Sequence, residues 1–170
     1  FARLKLAVHK TKTKVVVQDE ASKVAVVEWV RHNPGAGLDP SIQDGAECYG
    51  VPIGTEAYVH AKLLAKAQEV VAQADRVLDM LGPDHAHAAW QVVKHSTAHQ
   101  FLYWLMLSYP SDIVGSGAAA LLDDRLWRAA EQCLGLTLGT PGSVAAARVR
   151  LPVKYGGLGF RSHMDFLYSA

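Results

Sequence analysis

Apolar residues recur with helical spacing through most of the chain beyond residue 54. From 55 to 81 they follow a 3.6-residue rhythm, which predicts a long helix that Gly82-Pro83 ends. Asp84 is expected to cap a second helix, which runs to about residue 107 and which Tyr109-Pro110 stops. Further helices are predicted from about 117 to 134, from 143 to 150 and from about 162 onwards. The last two-thirds of the chain is therefore predicted to be a helical bundle.

In the first 54 residues the apolar stretches are shorter, and their pattern is more typical of extended chain. Residues 14–18 are rich in β-branched side chains and predict a strand, whereas residues 24–30 fit either a strand or a short helix. Residues 48–54 contain two glycines and predict a tight extended element or a hairpin. We therefore expect an α+β fold with three segments: strands and hairpin in 1–54, a helical bundle in 55–135, and a glycine-rich loop with a terminal helix in 136–170.

Composition narrows the class of protein. No run reaches the roughly 18 apolar residues that a membrane-spanning helix needs, so no membrane span is predicted. The two cysteines, Cys48 and Cys133, have no CxxC pattern near them, which argues against a disulfide framework or a zinc module and favours an intracellular, reducing environment. Because the chain starts at Phe1 in a strand-like stretch, we interpret it as a piece of a longer protein.

Charge is distributed unevenly although the net charge is only +1. Residues 1–14 hold five Lys or Arg and no acidic residue, and residues 148–161 hold four and none. Residues 19–131 hold 15 acidic and 8 basic residues. Contact with RNA or DNA is therefore expected at the two basic ends of the chain.

Two clusters could suggest catalysis or metal binding. Asp123-Asp124 lies in a helical pattern, which favours a solvated face with Asp–Arg pairs over a metal-binding turn. His95 and His99 are four residues apart and could share a metal, but no third ligand has obvious spacing. We therefore predict no metal site and no catalytic residue from these clusters.

Three stretches resemble reverse transcriptases of non-LTR retrotransposons. Residues 4–11 are similar to the "LxLNxxKT" motif that follows the catalytic hairpin in that family, with Ala7 where Asn is usual. Residues 49–54 resemble the "LGVPIG" hairpin at the junction of the palm and the thumb. Residues 151–162 resemble the "LPxxxGGLGxRS" stretch that closes the thumb region. Segment 1–54 then corresponds to part of the palm edge, and the bundle corresponds to the thumb.

The resemblance also implies site residues, all of them for nucleic-acid binding. They are Lys10, Thr11, Gly50, Gly54, Lys94, Lys154 and Arg161. Lys10 corresponds to the lysine beside the incoming nucleotide, and the hairpin glycines allow close approach to a primer phosphate. The resemblance further implies that the carboxylates that hold Mg²⁺ belong to strands before residue 1. No cofactor is therefore expected in this chain, and Mg²⁺ is expected only in a full polymerase.

Two positions weaken the expected grip on nucleic acid. Gln100 and Met106 stand where the family usually has arginines, and each lost phosphate contact reduces affinity. The sequence therefore favours a non-catalytic remnant of a reverse transcriptase that serves as a structural subunit and binds other proteins of a larger assembly. The alternative is a thumb that grips the primer–template in an active retroelement RNA-directed DNA polymerase. An unrelated helical binding domain is a third interpretation.

Overall fold

The chain has an α+β fold that is mainly helical. The computed structural model describes residues 15–17, 19–33, 42–135, 137–139 and 143–169. The chain divides into two compact units, residues 1–62 and residues 63–170. Within the described ranges, none of the helices combines the length and the apolar character that crossing a bilayer requires.

The first elements described in the first unit are a short strand and a helix. Strand β1 (Val15–Val16) pairs in parallel with β2 (Ile42–Gln43), and α1 (Glu20–His32) lies between them in the chain. The stretch 24–30, which fitted either a strand or a helix, is thus helical. The cause is Asp19, whose carboxylate accepts the Ser22 backbone N–H at 2.7 Å and caps the helix.

The predicted hairpin is confirmed. Strands β3 (Gly45–Cys48) and β4 (Val51–Gly54) pair antiparallel around the two-residue turn Tyr49-Gly50. Both turn residues have positive φ, 52° and 81°, which is the geometry of the turns that match the twist of a hairpin. Tyr49 at the tip is 93% exposed.

The long helix is also confirmed. Helix α2 (Glu56–Leu81) begins in the first unit and ends in the second, and Gly82-Pro83 follows it as predicted. Its buried positions Ala67, Val70, Ala74 and Leu78 follow the spacing of the apolar pattern.

The second predicted helix is helical throughout but not regular. It consists of a 3₁₀ turn (Pro83–His85), α3 (Ala86–Val92), a π-helical turn (Val93–Thr97), a second 3₁₀ turn (Ala98–Phe101) and α4 (Leu102–Leu107). The expectation that Asp84 caps it is wrong, because Asp84 lies inside the first 3₁₀ turn and Gly82 precedes that turn. A π turn holds one residue more than an α turn, so it shifts the phase of the residues that follow it.

The remaining helices are α5 (Pro110–Ser116), α6 (Ala118–Leu134), α7 (Val144–Arg150) and α8 (His163–Ser169). Helix α5 was not predicted. Pro110 was expected only to end the preceding helix, but it also starts α5, because proline is well suited to the first turn. The predicted caps of α6 and α7 are confirmed: Gly135 is left-handed with φ of 63°, and the Ser143 hydroxyl accepts the Ala146 N–H at 3.1 Å.

The core of the second unit joins residues far apart in the chain. Buried side chains from α2, α3, the π turn, α6, α7 and the loops before and after α7 form one cluster: Ala74, Leu78, Ala89, Trp90, Val93, Leu126, Ala129, Ala130, Leu138, Val149 and Phe160. The Trp127 ring meets the Phe160 ring edge to face at 5.7 Å. Phe160 thus fixes the glycine-rich loop, residues 151–160, onto the bundle.

Candidate functional site

A cleft of about 440 Å³ opens in the second unit. Its two walls are the helical stretch that contains the π turn and the glycine-rich loop, and side chains of α6, α7 and α8 also line it. Its apolar surface comes from nine side chains: Trp90, Ala98, Leu102, Leu105, Leu126, Pro152, Val153, Phe160 and Phe166. The volume is within the range of small-ligand pockets, about 300–1,000 Å³.

The polar part of the cleft is cationic. Lys94, Arg150 and Arg161 line it together with His95 and His99, and no carboxylate is among the described residues that line it. Arg150 has one acidic neighbour, Asp165, at 3.9 Å between the guanidinium and the carboxylate. That pair is largely exposed and therefore weak. The cleft thus presents a positive potential to an approaching anion.

Lys94 connects the two walls of the cleft. Its ammonium donates a hydrogen bond of 2.8 Å to the carbonyl of Leu158 in the glycine-rich loop. The Lys94 side chain is half-buried, so its charge lies close to the apolar side chains that line the cleft. Two residues that were predicted on the basis of the family resemblance, Lys94 and Arg161, therefore line one cleft although 67 positions separate them in the sequence.

The glycine-rich loop folds back onto the end of α7. The N–H groups of Leu158 and Phe160 both donate to the Val149 carbonyl, at 3.2 and 3.1 Å. Gly157 lies so close to this backbone that a Cβ there would be 2.0 Å from the Leu151 carbonyl oxygen. Lys154 is exposed on the 3₁₀ turn Val153–Tyr155, and it does not line the cleft.

Asp123 fixes the start of α8 beside the cleft. Its carboxylate accepts hydrogen bonds from the Ser162 hydroxyl at 2.5 Å, the His163 N–H at 2.7 Å and the Met164 N–H at 3.1 Å. It also accepts from the His163 ring, whose Nδ1 lies 2.9 Å away. The expectation that Asp123 lies on a solvated face and pairs with arginine is wrong, because the start of α8 covers it.

The neighbouring carboxylate behaves as predicted. Asp124 is exposed on α6 and pairs with Arg128 at 3.0 Å, one helical turn away. The two adjacent aspartates thus differ completely in burial and partners. Only the structure distinguishes the two, because the partners of Asp123 are at the start of α8, about 40 positions further along the chain.

The pKa of the Asp123 carboxyl leads to a prediction about acid stability. Burial alone would raise this pKa, but hydrogen bonds from the His163 ring, the Ser162 hydroxyl and two backbone N–H groups outweigh burial and lower it. A carboxyl whose pKa is lowered by folding stabilises the protein at pH values above its pKa in the unfolded state, about 3.9. That stability is lost as the pH falls through the pKa of the folded state. The free energy of unfolding of the unmodified chain should therefore fall as the pH is lowered from about 5 to about 2. We expect this fall to be smaller in Asp123→Asn. Urea titrations across this range measure it, and equal losses in both proteins would contradict it.

The other predicted residues lie elsewhere. Lys10 and Thr11 lie outside the described residues. Gly50 and Gly54 belong to the hairpin of the first unit. A Cβ at Gly54 would be 2.2 Å from the Asp44 carbonyl oxygen, so the hairpin's own backbone already explains this glycine.

The histidine cluster contributes to the cleft. The rings of His95 and His99 are stacked with centroids 6.4 Å apart, and both side chains are exposed. In the part of the chain that the structure describes, no three His, Cys, Asp or Glu side chains are arranged to hold a metal ion.

Sequence reasoning missed three residues of this site: Arg150, His163 and Phe166. Arg150 belongs to the basic stretch 148–161, so the charge pattern already indicated its neighbourhood. His163 and Phe166 follow the last matched motif, and no spacing pattern distinguishes them from ordinary helix residues. Comparisons of the chain with protein-family models, with curated proteins and with solved structures found no match.

Proposed function

We propose that this chain is the nucleic-acid-gripping thumb part of a reverse-transcriptase-like protein, and that the cleft of the second unit binds the sugar–phosphate backbone. The observation that carries the proposal is the set of cations around the cleft, Lys94, Arg150 and Arg161, with no carboxylate among the described lining residues. Polymerisation itself would need Mg²⁺-binding carboxylates from another part of the protein.

The placement of the cations supports a nucleic acid as the ligand. They come from three separate parts of the second unit, namely the π-helical turn, the end of α7 and the residue after the glycine-rich loop, and all three line the cleft. Phosphate contacts by Lys and Arg supply most of the affinity for nucleic acids and are independent of base sequence. Residues 19–131 are acidic on balance, so such contacts are expected at the cleft cations, of which Lys94 is the one within that range, and at the basic first residues.

The test is a filter-binding titration of a primer–template at several salt concentrations, starting at ~50 mM, where several phosphate contacts give measurable affinity. We expect Arg150→Ala combined with Arg161→Ala to weaken binding at least about tenfold and to lower the salt slope by about two. Both residues are exposed, so the fold should tolerate the change.

The double variant Arg76→Ala with Arg128→Ala is the matched control. Arg76 of α2 and Arg128 of α6 are both exposed and do not line the cleft, so this variant changes the net charge by the same amount as the test variant. We expect it to leave the affinity nearly unchanged. Failure of the unmodified chain to bind a primer–template at low salt would refute the proposed function. Equal losses in both variants would show that only net charge matters.

A second candidate function is docking to protein subunits of a larger assembly. It is favoured by exposed apolar side chains around α4, namely Tyr103, Met106, Leu107 and Tyr109. Exposed apolar groups of this kind are common at protein interfaces. Recovery of the native protein as a free monomer without a stable partner would count against this candidate.

A further inference from the structure

We infer that the cleft accepts an unpaired nucleotide, with its base between the two walls and its phosphates on the cations, so that single strands bind better than duplexes. This inference rests on the proposed function and deepens it. It concerns which form of nucleic acid the cleft selects, whereas the proposed function concerns whether nucleic acid binds at all.

The shape of the cleft is the first reason. A phosphate backbone lying on a surface needs cations but no cavity, and this cleft is about 440 Å³ in volume with an apolar interior. A cavity of this size suits one small aromatic ligand group rather than a duplex. A base inside a duplex would have to leave its stack first, which costs free energy that an unpaired base does not lose.

The aromatic lining is the second reason. Phe166 of α8 lines the cleft and is 37% exposed, so part of its ring is accessible. Leu102 of α4 also lines the cleft and is half-buried. Stacking on aromatic rings is how proteins bind the bases of single strands without reading their sequence.

The position of the charges is the third reason. Arg150 and Arg161 are exposed, whereas Lys94 is half-buried and bonded to the Leu158 carbonyl. A base that enters the cleft would carry its two flanking phosphates to the exposed arginines. Electrostatic contact and stacking would then act on the same nucleotide, as in single-strand-binding grooves.

The experiment compares three fluorescein-labelled probes by anisotropy with the full chain at ~50 mM salt. They are a 12-nucleotide thymidine strand, a 12-nucleotide strand of the same phosphates with abasic sites, and a blunt 12-base-pair duplex. We expect the thymidine strand to bind at least about fivefold more tightly than the abasic strand, because stacking acts only on a base. We expect the duplex to bind more weakly than the thymidine strand.

Two variants place the effect in the cleft. Phe166→Ala is expected to lower the affinity for the thymidine strand to near that of the abasic strand and to leave abasic binding unchanged. Tyr168→Ala is the matched control, since Tyr168 is an exposed aromatic residue of the same helix that does not line the cleft. Circular dichroism of both variants checks that they remain folded.

The outcomes separate the inference from the proposed function. Equal binding of all three probes, or tighter binding of the duplex, overturns the inference and leaves the proposed function standing. Absence of binding to every probe overturns the proposed function and the inference together. The comparison of thymidine and abasic strands needs no variant, so it decides the matter even where Phe166→Ala fails to fold.

Discussion

Replacement of Asp123 by alanine will lower the free energy of unfolding of the second unit by about 3 kcal/mol. The carboxylate accepts four hydrogen bonds from residues 162–164, and its side chain is only 16% exposed. Its loss leaves the buried imidazole of His163 and two backbone N–H groups of α8 without their acceptor. Urea denaturation at pH 7, followed by circular dichroism, measures the change.

Asp124→Ala is the control for this prediction. It removes the same side chain one position along α6, but Asp124 is exposed and, among the described residues, forms an ion pair with Arg128 alone. We expect a cost of about 0.5 kcal/mol or less. Asp123→Asn should give an intermediate loss, because the amide keeps one acceptor oxygen of two. Similar losses for Asp123→Ala and Asp124→Ala would show that the start of α8 gains no stability from this contact.

Replacement of Gly157 by alanine will destabilise the second unit by about 2–3 kcal/mol and will weaken nucleic-acid binding at the cleft. The new methyl group would lie 2.0 Å from the Leu151 carbonyl oxygen and 2.6 Å from the Arg148 carbonyl oxygen. Both neighbours are backbone atoms, so the loop itself must move to relieve the clash. Thermal unfolding measures the first effect, and the primer–template titration measures the second.

Gly156→Ala separates this clash from the general cost of losing a glycine. Gly156 has φ of 78°, but a Cβ there would meet no atom of the described residues within 4 Å. We expect about 1 kcal/mol from backbone strain and little change in binding. Equal effects of the two substitutions would contradict the view that close packing of Gly157 shapes the cleft.

The elements that could be predicted from the sequence are those with a local cause. Helix α2 and helix α6 follow from an unbroken apolar rhythm, and Gly135 and Ser143 mark helix ends through contacts within a few residues. Helix α1 was ambiguous because five of its residues are valine or tryptophan, which favour strands, whereas the Asp19 cap favours a helix. Rhythm alone also misses α5, which is only seven residues long.

The cleft could be predicted only in part. The family resemblance pointed to Lys94 and Arg161 one at a time, but nothing in their spacing shows that they line the same cavity. The role of Asp123 depends on a partner 40 residues away, and its helical neighbourhood resembles that of Asp124. Long-range contacts of this kind arise when whole helices and loops pack together, and a local sequence pattern does not predict that packing.

The π-helical turn at Val93–Thr97 restricts how this chain can change in length during evolution. A deletion of one residue there would turn the π segment into a regular α-helix and rotate everything after it by about 100°. Leu102 and Leu105 would then no longer line the cleft, even though neither residue had been replaced. We therefore expect natural relatives to keep the number of residues between Trp90 and Leu102 more strictly than the residues themselves.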